Sequence, residues 1–284
     1  MRFVICQELF IDWEWERQCR FVAECGYTGI EVAPFTIASR LEDVSVETLR
    51  SMRKVAESFG LEVIGLHWLL AKTEGLHLTS PDADVRKATA EYLIVLGNAC
   101  AELGGNVMVF GSPPQRNLPD GVSTEQAMQY AAEVFKACMP QIAERGVRIC
   151  MEPLTTKETN FINTCAEAKT LIEMVDHPNF VLHQDVKAML GAESEPLPVV
   201  IEKYKELTKH FHANDSNLLG PGMGETDFAP IFEALLRTKY DGWVSVEVFD
   251  YAPGAETIAQ TSLASMRTAL DVAQKRIDSN ENPA

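Results

Sequence analysis

Residues 147–185 read VRICMEPLTTKETNFINTCAEAKTLIEMVDHPNFVLHQD. Val147–Glu152 is a short run of strand formers, and Phe180–Asp185 is a second. Between them, Cys165–Val175 repeats its apolar residues at helical spacing, with Thr164 placed to cap it. Two strands separated by a helix-length crossover pair in parallel, because a hairpin needs only a tight turn. Each strand also ends in a carboxylate, Glu152 and Asp185.

The same period runs outward in both directions. Strands are expected at Phe3–Gln7, Gly29–Val32, Glu62–His67, Asn106–Phe110, His210–Asn214 and Val244–Val248. Helices are expected at Glu14–Cys25, Val46–Phe59, Pro81–Leu103, Thr124–Arg145, Leu197–Leu207, Asp227–Arg237 and Glu256–Arg276. Ser80 before Pro81 marks one helix start, and Ser123 or Thr124 another. Gly26, Gly60, Gly104 and Gly146 stand where helices give way to strands. Eight strand–helix units in 284 residues, with no linker or composition shift, point to an α/β fold. It is a closed (β/α)8 TIM barrel in a single domain spanning 1–284, with 280–284 as a frayed tail. A nucleotide-binding doubly wound sheet is disfavoured. No G-x-G-x-x-G follows a strand, and the Gly220–Gly224 run lies in a late loop with the wrong spacing.

The chain carries 41 acidic and 25 basic side chains, a formal net charge of -16. Duplex binding needs clustered cations, so no nucleic-acid partner is expected, and anionic membrane surfaces are disfavoured. No apolar stretch approaches the ~18 residues of a spanning helix. The opening MRFVICQELF is too short for a signal segment and reads as the first strand. The seven cysteines are odd in number and lack a C-x-x-C pair, as for free thiols in the cytoplasm.

In such a barrel, chemistry collects where strands end. The polar residues at those ends are Glu31, His67, Glu152, Asp185, His210, His212 and Glu247. Glu152 to Asp185 is 33 residues, Asp185 to His212 is 27, and His212 to Glu247 is 35. Each step is about one strand–helix unit, so the four can share one rim. Three carboxylates gathered in a pocket repel one another and take up protons unless a cation joins them. Oxygen ligands with one imidazole suit Mn2+, Mg2+ or Co2+, and admit Zn2+. Solvated charge or helix capping explains any one of these residues, but poorly explains four at successive strand ends. His210 and His212 share a face, with His210 one layer lower. His183 stands in the same relation to Asp185 and reads as a core histidine.

These motifs resemble the xylose isomerase-like TIM barrel superfamily, and within it the ketose 3-epimerase, hydroxypyruvate isomerase and inosose dehydratase group. The likeness is strongest over MEPLTTKETNFINT, residues 151–164, where the strand-five Glu is followed by Pro153, Leu154 and Glu158. The resemblance implies that Glu152, Asp185, His212 and Glu247 ligate one divalent metal, with Mn2+ the first choice. It also implies that Glu158 hydrogen-bonds a substrate hydroxyl or a metal-bound water. The chain departs from the 3-epimerases at Ala188, where they carry His, and at Leu218, where they carry Arg. Its HAND run with GPGMGETDF resembles a subgroup described only as sugar phosphate isomerase/epimerase. Relatives are often dimers or tetramers, so a homo-oligomer is expected.

The implied activity is metal-dependent sugar isomerisation or epimerisation through an enediolate, with Glu152 and Glu247 as the acid/base pair. His67, Arg116, Lys187 and Trp13 are the further substrate-binding candidates. Trp15 and Trp68 also stand near strand ends, where a ring can pack on a sugar. The competing readings are a metal-dependent lyase or dehydratase on a keto-sugar or inosose, a non-catalytic sugar-binding barrel, and an abasic-site endonuclease. The last is opposed by the charge and by only six histidines.

Overall fold

The computed structural model describes residues 1–281. Eight parallel strands close in sequence order: β1 Arg2–Cys6, β2 Gly29–Val32, β3 Glu62–Leu66, β4 Val107–Phe110, β5 Arg148–Met151, β6 Phe180–Asp185, β7 Thr208–Ala213 and β8 Trp243–Val246. β8 pairs with β1 through Trp243–Arg2 and Val246–Ile5, so the sheet has no free edge. The expected eight-stranded barrel is therefore the observed one.

The helices on its outside are α1 Trp15–Cys25, α2 Val46–Ser58, α3 Ala83–Leu103, α4 Thr124–Glu144, α5 Cys165–Val175, α6 Val186–Ala192, α7 Leu197–Lys203, α8 Phe228–Arg237 and α9 Ala255–Glu281. Ser123 and Thr164 each form a complete capping box. α3 corrects the expected start at Pro81: Asp82 is the cap, accepting the Asp84 N–H, and Ser80 instead accepts the Asp82 N–H. α6 was not expected. Asp185 begins it by accepting the Ala188 N–H at 2.6 Å. The expected tail is corrected in part, because α9 continues through Glu281; residues 282–284 lie outside those described. Among the described residues no helix is long and apolar enough to cross a membrane. All seven cysteines are free.

The large apolar core lies between sheet and helices, with residues such as Phe110, Phe135 and Phe180 stacked across β4, α4 and β6. Inside the barrel the layers differ. The lower interior is apolar, with Val107, Val109, Cys150 and Val181 in one cluster and Val4, Ile64 and Trp243 in another. The upper interior is polar: Cys6, Glu31, His183, His210 and Ser245 are all buried there. Strand alternation carries these same faces upward to the rim. His183 pairs in register with His210, and Asp185 with His212, so two layers stack directly. The sheet is irregular between Ile30 and Glu31 and between Leu182 and His183. Such irregularities re-aim the side chains that follow them, and here those are two interior polar groups. Gly65 is what lets β3 and β4 approach: a Cβ there would stand 1.9 Å from the Val107 carbonyl oxygen.

Candidate active site

Four rim residues expected from the sequence stand at one mouth of the barrel. Glu152 and Glu247 are the first residues past β5 and β8; Asp185 ends β6 and His212 lies on β7. All four are buried. His212 is held from both sides, its Nδ1 3.1 Å from Glu247 Oε2 and its Nε2 3.3 Å from Glu31 Oε2. Asp185 accepts the Asn214 side-chain N–H at 2.6 Å, and Asn214 in turn accepts the Lys187 backbone N–H.

One donor atom from each of Glu152, His183, Asp185 and His212 lies within 4.8 Å of the others. His183 lies in this compact group with three of the four expected ligands. Glu247, the fourth, accepts the Trp68 indole N–H at 2.8 Å through Oε1, and its Oε2 stands 3.1 Å from His212 Nδ1. Glu247 also belongs to a second group with Cys6, Glu8 and His67. His183 is buried with neither ring nitrogen hydrogen-bonded, and its Nε2 stands 3.7 Å from Glu152 Oε1. Orphaned imidazole nitrogens beside two carboxylates fit a divalent cation, whose ligands are oxygen and imidazole nitrogen.

The protonation preferences of these side chains are divided. Burial, then the charges of Glu247 and Asp185, push the Glu152 carboxyl well above the usual carboxylate range. Burial pushes Asp185 up to about 6, against the opposing pull of Lys187. Burial would also raise Glu247, but the His212 charge and hydrogen bond outweigh it and hold Glu247 at about 2. Burial likewise opposes the His212 imidazolium, and Glu31 and Glu247 together keep it well above its ordinary value.

A cavity of about 400 Å³ opens over these groups. Glu152, Glu158 and Glu247 stand in it with His67, and Trp68, Pro113, Pro114, Leu154 and Phe249 form mostly apolar walls. Gly111 makes room for Glu152, since a Cβ there would come 2.3 Å from Glu152 Oε2. Glu158 is firmly held: Oε2 accepts from the Thr155 backbone and hydroxyl, and Oε1 from Lys187 Nζ at 2.7 Å.

The other expected substrate contacts divide. Lys187 is buried, paired with Glu158 and set over the Phe249 ring at 3.7 Å, so its charge is already committed. His67 lines the cavity, with its Nε2 2.6 Å from Glu8 Oε2 and its Nδ1 3.9 Å from Glu31 Oε1, so it is held between two buried carboxylates. Arg116 is corrected. It is wholly buried and donates to the backbone carbonyls of Gly111, Glu152 and Ile162, bracing the loops after β4 and β5. Trp13 is corrected as well, because it packs with Phe10 and Phe21 under Arg17, away from the cavity. Trp15 donates to the Met52 carbonyl between α1 and α2. Glu8 is the residue the sequence reading missed. It sits two positions past Cys6 in the turn after β1, and that strand-end position was its one local signal.

A family model described as xylose isomerase-like TIM barrel matches residues 19–269. The chain is 26% identical over 251 residues to the D-psicose 3-epimerase of Ruminiclostridium cellulolyticum, covering 83% of this chain and 80% of that protein. It is 24% identical over 259 residues to the 3-dehydro-D-guloside 4-epimerase of Escherichia coli, covering 88% and 92%. A crystal structure of a D-psicose 3-epimerase in the presence of D-fructose superposes with a TM-score of 0.84 at 23% identity, covering 95% of this chain and 99% of that one.

Proposed function

The chain belongs to the xylose isomerase-like TIM barrel family, and on that footing we propose that it is a divalent-metal-dependent sugar epimerase. Its reaction moves a proton at a carbon next to a carbonyl. The observation that carries this reading is the placement of Glu152 and Glu247. They rise from strands three apart around the barrel and line the same cavity. Two carboxyls placed in one cavity can divide proton removal and return between them.

Glu152, Asp185, His212 and Glu247 would hold the cation, with His183 beside them. When bound it supplies positive charge that acidifies the carbon next to a carbonyl, and Mn2+ suits the donor set. One of Glu152 and Glu247 accepts the proton from one face of that carbon and the other returns a proton to the opposite face, so the configuration inverts and no atom is gained or lost. Proton transfer by a placed side chain contributes roughly 10²–10⁴-fold. Glu158, fixed by Thr155 and Lys187, orients a substrate hydroxyl. The apolar walls exclude water, and their rings pack on the apolar face of a sugar. The names of the epimerase relatives support the same reading.

The test is deuterium incorporation from solvent across a panel of ketoses, keto-glycosides and inososes, with Mn2+, Co2+ or Mg2+ added. Exchange and a new epimer are expected from one member of the panel, and both are lost in Glu152→Gln and Glu247→Gln. Unchanged turnover and metal affinity in those variants would sink the assignment. A conjugated enone absorbing in the near ultraviolet would instead establish elimination.

A further inference from the structure

Trp68 follows His67 directly, and its backbone stands at φ 54°. That left-handed conformation is rare for a bulky side chain and persists only where its surroundings enforce it. Here the enforcing contacts are visible. The indole N–H donates to Glu247 Oε1 at 2.8 Å. The ring lies against Phe35 and Phe249, with centroids 5.9 and 6.2 Å away. The other Glu247 oxygen is 3.1 Å from His212 Nδ1. Two elements from different parts of the barrel thus pin one carboxylate, one oxygen each. Turning that carboxylate about its last bond breaks both hydrogen bonds. A pocket wall alone would not need an N–H donor, nor a backbone in this conformation.

We propose that Trp68 is a positioning residue for Glu247, its indole N–H fixing the rotation of that carboxylate so that Oε2 faces His212 and the interior of the site. The inference rests on the role given to Glu247 in the preceding section. It adds that the same ring sets one carboxylate of the acid/base pair and forms the wall against which substrate packs. A substrate that displaces the ring therefore also disturbs the carboxylate.

Trp68→Phe keeps a ring and removes the donor; Trp68→His keeps both a ring and an N–H. The crystal structure of the metal-free Phe variant is expected to show Glu247 rotated. Titration calorimetry of metal-stripped protein with Mn2+ should show affinity weakened about 10-fold or more, the usual cost of losing a partner that orients a ligand. On the substrate found by the exchange panel, kcat is expected to fall while KM stays within about twofold, with part of the loss recovered in Trp68→His. Trp68→Asn tolerates the left-handed backbone, cannot reach Glu247, and carries the same expectation if the Phe variant does not fold. An unrotated Glu247, or a change confined to KM, overturns the proposal. If wild-type protein binds no Mn2+, the metal reading falls, and the crystallographic comparison still decides the role of Trp68.

Discussion

His212 Nε2 lies 3.3 Å from Glu31 Oε2, and Glu31 is wholly buried beneath it, also 2.9 Å from His210 Nε2. Burial would raise the Glu31 carboxyl, but the two imidazoles hold it well below its usual range. A buried carboxylate behind a histidine places the proton on the near nitrogen and leaves the far one to the site. Glu31→Gln is therefore expected to weaken Mn2+ binding about 10- to 100-fold. Glu31→Ala should in addition cost the metal-free protein about 3–5 kcal/mol, because the buried His212 loses a counter-charge and His210 a hydrogen-bond partner. Calorimetry and urea denaturation measure the two effects separately.

Gly111→Ala tests the room left for Glu152. Its Cβ would stand 2.3 Å from Glu152 Oε2, so the carboxylate has to move. Loss of at least about tenfold in Mn2+ affinity and in turnover is expected with the fold intact. Gly65→Ala is the contrasting case, since its Cβ meets the fixed Val107 carbonyl and the barrel cannot close. Circular dichroism and metal titration on the two variants should separate them cleanly.

The acidic groups give opposite pH signatures. Asp185 is raised to about 6, so the metal-free fold holds a proton that the unfolded chain has already released. Its contribution to stability is thus lost as pH rises from near 4 through 6. Glu247 is lowered to about 2, so its contribution is present above the ordinary carboxylate range and lost as pH falls toward 2. Metal must displace the protons of Asp185 and Glu152, so Mn2+ affinity should fall at least about tenfold per unit below pH 6. Melting curves with and without Mn2+ should diverge more at pH 8 than at pH 5. Equal metal stabilisation at both values would contradict the expectation.

Arg116 distinguishes a brace from a binding group. Replacement by Met leaves the carbonyls of Gly111 and Glu152 unpaired and removes one of two donors from that of Ile162. A loss of at least about 2 kcal/mol in urea denaturation is expected. A substrate-binding arginine would instead raise KM and leave the denaturation midpoint unmoved.

Periodicity made most of the fold readable. β2, β6 and α5 fall within the limits read from their residues, because each is bounded by clear turn or cap signals. α3 begins later than expected because Ser80, Pro81 and Asp82 offer competing starts within three residues. α6 was hidden because its cap, Asp185, is also the end of a strand. The rim set was legible from spacing, since Glu152, Asp185, His212 and Glu247 recur once per unit. The pairing behind it was not. Glu8 with His67, and Arg116 with three carbonyls, join residues 59 or up to 46 positions apart, and no local pattern encodes such partners.

The apolar lower interior built from Val107, Val109, Cys150 and Val181 closes the barrel from below. Traffic into the proposed site is therefore one-ended. Whatever enters beside Trp68 and Phe249 must leave beside them, and product competes with substrate for the same doorway. Solvent that washes out a substrate proton has to use that doorway too. The retention of label in a single turnover thus becomes a clock for how long the mouth stays covered.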